Sequence, residues 1–264
     1  MHRFQVRPED IAGNILTLRG QEARHLSKVL RLGQGEEVLA FDNSGLEYRA
    51  RVEQVNQDEV VCAILAQYET GREPGLDVFL LQGLPKLDKM ELIIQKTTEL
   101  GVRSIIPVRT ARAVMQLEGK KAQDRVERWR KIAAEAAKQC GRPKVPGIGQ
   151  VVDLEEGLRA LPQGTMVLAA FEAEETLGLA EALDAWPGVP IALVIGPEGG
   201  FDPREIACLK AQGARSVSLG PRILRTETAG MAALTMILYQ LGDLGKAGAG
   251  SPRATGLCLH HSDF

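Results

Sequence analysis

Two short runs combine glycine with charged and hydroxyl side chains in a way that suits ligand chemistry. They are Ile195-Gly196-Pro197-Glu198-Gly199-Gly200-Phe201 and Leu219-Gly220-Pro221-Arg222-Ile223-Leu224-Arg225-Thr226-Glu227-Thr228-Ala229. Each follows a strand-like apolar segment, and glycine beyond the carboxyl end of a strand lets backbone N–H and C=O groups approach a ligand closely. Two such loops after different strands can form one pocket. Neither fits the Gly-x-x-x-x-Gly-Lys phosphate loop or Gly-x-Gly-x-x-Gly, which disfavours a phosphate-cradling ATPase and an ordinary dehydrogenase. Capping explains part of the first run, with Asp202 as N-cap and Pro203 in the first turn of a helix. The second run resists that explanation. Thr226 or Thr228 can serve as N-cap and Glu227 as a first-turn acid, but Arg222 and Arg225 near the positive end of a helix are unfavourable for it. Their placement calls for an anion, a base carbonyl or a facing carboxylate.

The four cysteines, Cys62, Cys140, Cys208 and Cys258, form no CxxC pair, and His2, His25, His260 and His261 form no HxxxH pattern. We therefore expect neither a disulfide framework nor a metal site. The 264 residues are 44% hydrophobic with a net charge of -2, too apolar for disorder and enough for one large or two modest domains. No apolar run reaches membrane-spanning length, and the start, MHRFQVRPED, is charged where a signal peptide is apolar, so a cytoplasmic protein without membrane contact is expected. Charge is uneven. Residues 120–144 carry a net +6 and residues 152–186 a net -7, which suits a polyanion partner or, equally, solvated helix faces.

The elements that must position these residues differ between the two parts of the chain. Residues 1–72 show strand-like runs at 14–18, 36–41, 47–55 and 59–66, with turn signals between them and a helix at 21–30, which suggests a small barrel. Residues 68–75 are polar, with glycine and proline, and read as the linker. Residues 73–244 alternate strands at 77–82, 104–108, 166–171, 191–195 and 216–219 with helices at 89–100, 122–140, 177–185, 203–212 and 228–241. That is the pattern of an α/β domain with a largely parallel sheet. In the 122–140 helix, Val126, Trp129, Ala133, Ala136 and Cys140 make one apolar stripe, and the last helix is apolar on more than one face. The composition of residues 245–264 predicts a disordered tail.

The run 222–229, with Val217-Ser218-Leu219-Gly220 and Gly196-Pro197-Glu198-Gly199-Gly200-Phe201, resembles the ribosomal small subunit methyltransferase E family of the SPOUT superfamily. The likeness continues through Gln95-Lys96-Thr97-Thr98-Glu99-Leu100-Gly101-Val102, Arg128-Trp129-Arg130-Lys131-Ile132-Ala133-Ala134-Glu135-Ala136 and Lys138-Gln139-Cys140-Gly141-Arg142. In the first part it takes in His2-Arg3-Phe4 and His25-Leu26 with Val29-Leu30-Arg31. It covers nearly all of residues 2–243. The resemblance implies a PUA-like β-barrel domain before a SPOUT-type α/β domain with a deep trefoil knot. It also implies a homodimer, S-adenosylmethionine as methyl donor and 16S rRNA uridine N3 in the small ribosomal subunit as target. For the cofactor it implies Ile195, Gly196, Pro197, Glu198, Gly199 and Gly200 as one wall, Leu219 and Gly220 as another, and Ile223, Leu224 and Arg225 in the loop that closes the knot. Ala170 and Phe171 are further candidates. The chain departs from the family at Leu87, Ala111 and Ala113.

Methylating N3 of uridine requires removal of its proton and stabilisation of the charge that spreads onto O2 and O4. Arg225 or Arg222 could supply the stabilising donors; Glu227 is the first candidate base and Glu198 the second. Arg3, Arg24, Lys28, Arg31, Arg128 and Arg142 are the candidate RNA contacts. Two other classes remain open: a SPOUT enzyme acting on another RNA, and a non-catalytic PUA-like RNA-binding protein.

Overall fold

The computed structural model describes residues 1–86, 88–245 and the two-residue strand Arg253–Ala254. The described residues divide into two units, 1–73 with 137–145, and 74–136 with 146–245. The first unit carries β1 (Arg3–Gln5), β2 (Ile11–Ala12), β3 (Ile15–Arg19), α1 (Gly20–Arg24), β4 (Glu37–Phe41), β5 (Leu46–Val55) and β6 (Glu59–Glu69). The sheet order is β1-β4-β5-β6-β3-β2, with only β1–β4 parallel. Register shifts at Arg49/Ala50 and Val52/Gln54 bend the β5–β6 ribbon. β1 and β2 end the order, so the expected barrel is an open half-barrel. Its core gathers Phe4, Leu16, Leu18, Leu26, Val38 and Val60.

The expected helix over 21–30 is two pieces, α1 and a π-helical turn His25–Val29, and β6 runs through Glu69 into the expected linker. β1 and β2 give no signal in the sequence because two or three residues are too short for an alternating pattern to emerge. The expected disorder of 245–264 lies outside the described residues apart from Gly245 and Arg253–Ala254, and the latter pair antiparallel with β6. Leu87 also lies outside them.

The second unit contains β7 (Val78–Gly83), α2 (Lys89–Leu100), β8 (Ser104–Arg109), most of α3 (Gly119–Cys140), β9 (Gly147–Ile148), β10 (Val152–Asp153), α4 (Leu154–Arg159), β11 (Met166–Ala170), α5 (Leu179–Asp184), β12 (Ile191–Ile195), α6 (Pro203–Ala211), β13 (Arg215–Val217) and α7 (Thr226–Gln240). The sheet is wholly parallel in the order β10-β8-β7-β12-β11-β13, with β9 also against β8. Both faces are covered, as parallel sheets require. On one face Leu81, Val108, Ala169, Ala192 and Val194 meet Leu154 and Leu158 of α4 and Ile206 and Leu209 of α6. On the other, α7 lies over Leu80, Gln82 and Ile195 and contacts α2 and α5. α3 buries Val126, Trp129, Ala133 and Ala136.

Strand order in this sheet decides which loops become neighbours. From β12 the chain passes through α6 to β13 on the far side of β11, then returns through residues 218–225 to the end of β12, where α7 begins. The four adjacent strands β7, β12, β11 and β13 thus send their C-terminal loops to one edge of the sheet.

Candidate functional site

The loops after β11, β12 and β13 surround a cleft of about 870 Å³, with Lys89 at the start of α2 completing its wall. Among the expected residues, Ala170, Phe171, Ile195, Gly196, Pro197, Glu198, Gly199, Gly200, Leu219, Gly220, Ile223, Leu224 and Arg225 all line it. Arg222, Thr226 and Ala229 do so as well. Residues far apart in sequence meet because parallel strands must end on the same side.

The loop after β12 is held at close quarters. A Cβ on Gly83, at the end of β7, would come within 2.8 Å of both Pro197 N and Pro197 Cδ, so the glycine there is what lets the loop rest on β7. Asp202 caps α6 by accepting from Arg204 N at 3.0 Å, as expected, and Glu205 returns the bond to Asp202 N at 2.8 Å. The other oxygen of Glu205 accepts from Ala111 N at 2.8 Å, tying in the loop after β8.

The loop after β13 holds a correction. Neither Thr226 nor Thr228 is the N-cap of α7; Arg225 is, without a side-chain bond, and α7 starts at Thr226 rather than Thr228. The Thr226 hydroxyl has other work. It donates to Gly196 O at 2.6 Å and accepts from Gln82 Nε2 at 2.9 Å. This buried relay joins β7, the loop after β12 and α7. Gly220 sits at φ +113 with open space where a Cβ would stand, so only backbone conformation demands glycine.

Lys89 organises the charges on one wall. Its Nζ is 2.9 Å from Glu198 Oε1 and 3.1 Å from Glu227 Oε2. Glu198 also accepts from Lys86 N at 3.1 and 3.2 Å. Burial pushes the Glu198 carboxyl up, but Lys89 and the Lys86 N–H outweigh it and hold the group below the ordinary carboxylate range. Lys89 is raised in turn by Glu198 and Glu227. In the loop after β11, Glu174 is held low by the Thr176 hydroxyl and N–H, while Glu172 and Glu175 have no ion-pair partner among the described residues. Arg222 and Arg225 are exposed and likewise unpaired there.

Sequence pattern does not single out Lys89, Glu172, Glu174, Glu175, Ser218 or Gln82 as site residues. The acidic residues register there only as charge without a place. Lys89 does carry a usable signal: a cation in a helix's first turn works against the dipole, the same physics that marks Arg222 and Arg225.

The expected RNA contacts divide. Arg3 is internal: it pairs with Glu47, donates to Arg142 O at 3.2 Å and lies over the Phe41 ring. Arg142, only 4% exposed, grips Glu73 through Nε and Nη2 at 3.1 and 2.8 Å. Both are expected at an RNA-facing surface and instead fasten the first unit internally, because each has a carboxylate from a distant segment beside it. Arg24 and Arg128 are exposed but pair with Asp58 and Glu91. Lys28 and Arg31 are exposed without an ion pair among the described residues, beside Val29, which is 69% exposed. His25 packs edge-on against Phe4. Among the described residues no His/Cys/Asp/Glu group could hold a metal ion, and no helix is long and apolar enough to cross a membrane.

Residues 72–238 match the family described as RNA methyltransferase domain, and residues 18–65 the one described as RNA methyltransferase PUA domain. A Bacillus subtilis protein named Ribosomal RNA small subunit methyltransferase E is 37% identical over 229 residues, covering 85% of this chain and 90% of the relative. The crystal structure of a Ribosomal RNA small subunit methyltransferase E from Neisseria gonorrhoeae bound to S-adenosyl methionine superposes with a TM-score of 0.83 at 31% identity, covering 93% of this chain and 100% of that one. A methyltransferase from Legionella pneumophila in complex with the same cofactor gives a TM-score of 0.76, also at 31% identity, over 90% of this chain and 96% of that one.

Proposed function

The chain belongs to the ribosomal RNA small subunit methyltransferase E family, and on that premise we propose that it moves the methyl group of S-adenosylmethionine to N3 of a uridine in 16S rRNA. The observation that carries the reading is the convergence of the loops after β11, β12 and β13 on one cleft lined also by Arg222 and Arg225, which have no ion-pair partner among the described residues.

The cleft suits the cofactor. Its volume falls in the range of small-molecule sites; Ile195, Leu219, Leu224 and Ala229 offer apolar contact to a flat base, and Glu172 and Glu175 offer negative charge to a cationic ligand. When bound, S-adenosylmethionine supplies an electrophilic methyl group on a positively charged sulfur. The protein must hold the uracil ring in line with that methyl, accept the N3 proton and steady the charge left on O2 and O4. We assign the last role to Arg225, with Arg222 beside it. Both candidate bases pair with Lys89, but Glu198 is the poorer, because it also accepts from Lys86 N and is held below the ordinary carboxylate range, which makes it a weak proton acceptor. Glu227 is our assignment for the base, and Glu198 holds the loop.

We extend the reading to the knot, the dimer and the compartment. The return of residues 218–225 past the segment leaving β11, with Ser218 N bonded to Leu177 O at 2.8 Å, supports the trefoil knot. On α7, Met236 and Tyr239 are 37% and 68% exposed, and Leu92 on the neighbouring α2 is 42% exposed; this apolar face supports a homodimer. A small-subunit substrate supports a cytoplasmic enzyme.

A methyl on N3 blocks the Watson–Crick edge, so reverse transcriptase stops at the modified base. Deleting the gene should abolish one such stop in 16S rRNA, the wild-type gene should restore it, and a gene encoding Arg225→Ala should not. An unchanged stop pattern on deletion would overturn the assignment.

A further inference from the structure

Lys89 is the first residue of α2, where a positive charge opposes the helix dipole, and the Asp88 N-cap makes no side-chain bond that would offset this. The helix start gains nothing from the lysine. What the lysine touches gives the reason for it: Glu198 from the loop after β12 and Glu227 from the first turn of α7, at 2.9 and 3.1 Å. The Glu198 and Glu227 side chains are only 23% and 13% exposed, so their mutual repulsion is poorly screened by water. The backbone just before the lysine is tied to the same carboxylate through Lys86 N. One ammonium therefore bridges two partly desolvated carboxylates borne by two different walls of the cleft and offsets their repulsion.

We propose that Lys89 is a positioning residue of the transferase, a charged clasp that holds the loop after β12 and the base-bearing turn of α7 in the one arrangement that accepts the cofactor. The inference rests on the reading of the cleft as the S-adenosylmethionine pocket. It makes Lys89 important through charge balance rather than through packing, because without it the two carboxylates face each other uncompensated and push the walls apart.

The test is calorimetric titration with S-adenosylmethionine, with Tm measured alongside, on wild type, Lys89→Met, Lys89→Arg, Glu227→Gln and the Lys89→Met/Glu227→Gln double variant. Lys89→Met should weaken binding about tenfold, Lys89→Arg should stay within about threefold of wild type, and Glu227→Gln should restore most of the loss in the Lys89→Met background. Losses that simply add in the double variant would overturn the proposal, as would wild-type affinity in Lys89→Met or equal damage from Met and Arg. Should Lys89→Met be too unstable to titrate, recovery of Tm in the double variant supports the clasp and its absence overturns it. A wild-type protein that binds no S-adenosylmethionine would instead refute the pocket reading.

Discussion

Single side chains in this protein act by choosing between partners, and Thr226 shows it best. Its hydroxyl leaves the helix cap to the backbone and directs both its hydrogen-bonding capacities to Gly196 O and Gln82 Nε2. Thr226→Val keeps the shape and leaves Gly196 O and one Gln82 donor unpaired, so urea unfolding should show a loss of about 2 kcal/mol. Thr226→Ser should cost well under half as much, and equal losses would show that the methyl matters rather than the hydroxyl. Cys62 illustrates the opposite case, a titratable group kept silent. Burial, helped by Glu53, pushes its thiol up to about 12. Because the folded protein holds that proton more tightly than the unfolded chain, the thiol costs no stability at neutral pH and lowers it only as pH rises above the ordinary thiol range. Iodoacetamide at pH 8 should therefore label Cys62 only in denaturant, as peptide mass spectrometry would show. Arg222 and Arg225 are legible in the sequence because arginines near a helix's positive end violate a local rule. Thr226's role is hidden there, since a threonine at a helix start has an ordinary explanation ready.

At the scale of elements, the pocket depends on how closely strand ends and loops approach. Gly83 has no unusual backbone angle and is required only by the 2.8 Å space to Pro197. Gly83→Ala must push the loop after β12 away from β7, with an expected cost of about 2 kcal/mol and a measurable drop in S-adenosylmethionine affinity by calorimetry. Unaltered affinity would mean that the loop's seat on β7 does not shape the pocket. α7 makes a second element-level prediction. Tyr239→Glu puts a charge on its exposed apolar face and should shift the proposed homodimer to monomer in light scattering, whereas an unchanged mass would send the search for an interface elsewhere. The long elements are readable because their apolar periods repeat: Lys89–Leu100 and Ile191–Ile195 have the bounds expected. β9, β10 and α4 are not, since two strand residues or six helical ones give a period no chance to show. Strand order is beyond the pattern too. Nothing in the spacing says that β12 inserts between β7 and β11, yet that insertion brings the two glycine loops together.

Over the whole molecule, positive charge has two fates that composition cannot separate. Arg142 is locked onto Glu73 inside the first unit, and Arg142→Ala should lower stability by about 3 kcal/mol because a partly buried carboxylate loses its partner. Arg31→Ala should leave thermal stability unchanged while weakening RNA binding and reducing the slope of log affinity against log salt by about one. Filter binding across a salt series, with Tm for both variants, checks the pair; an intact salt slope for Arg31→Ala would remove that residue from the RNA surface. The basic residues can be counted in the sequence, but whether one meets a carboxylate often depends on a segment far along the chain, as with Arg3 and Glu47, 44 residues apart. The most direct measurement is transfer of labelled methyl from S-adenosylmethionine to unmethylated small ribosomal subunits and to naked 16S rRNA, with mass spectrometry of the nucleosides afterwards. Label in N3-methyluridine from 16S rRNA is the predicted result. Label in any other nucleoside, or no transfer to either substrate by a protein that binds the cofactor, would contradict the proposed reaction.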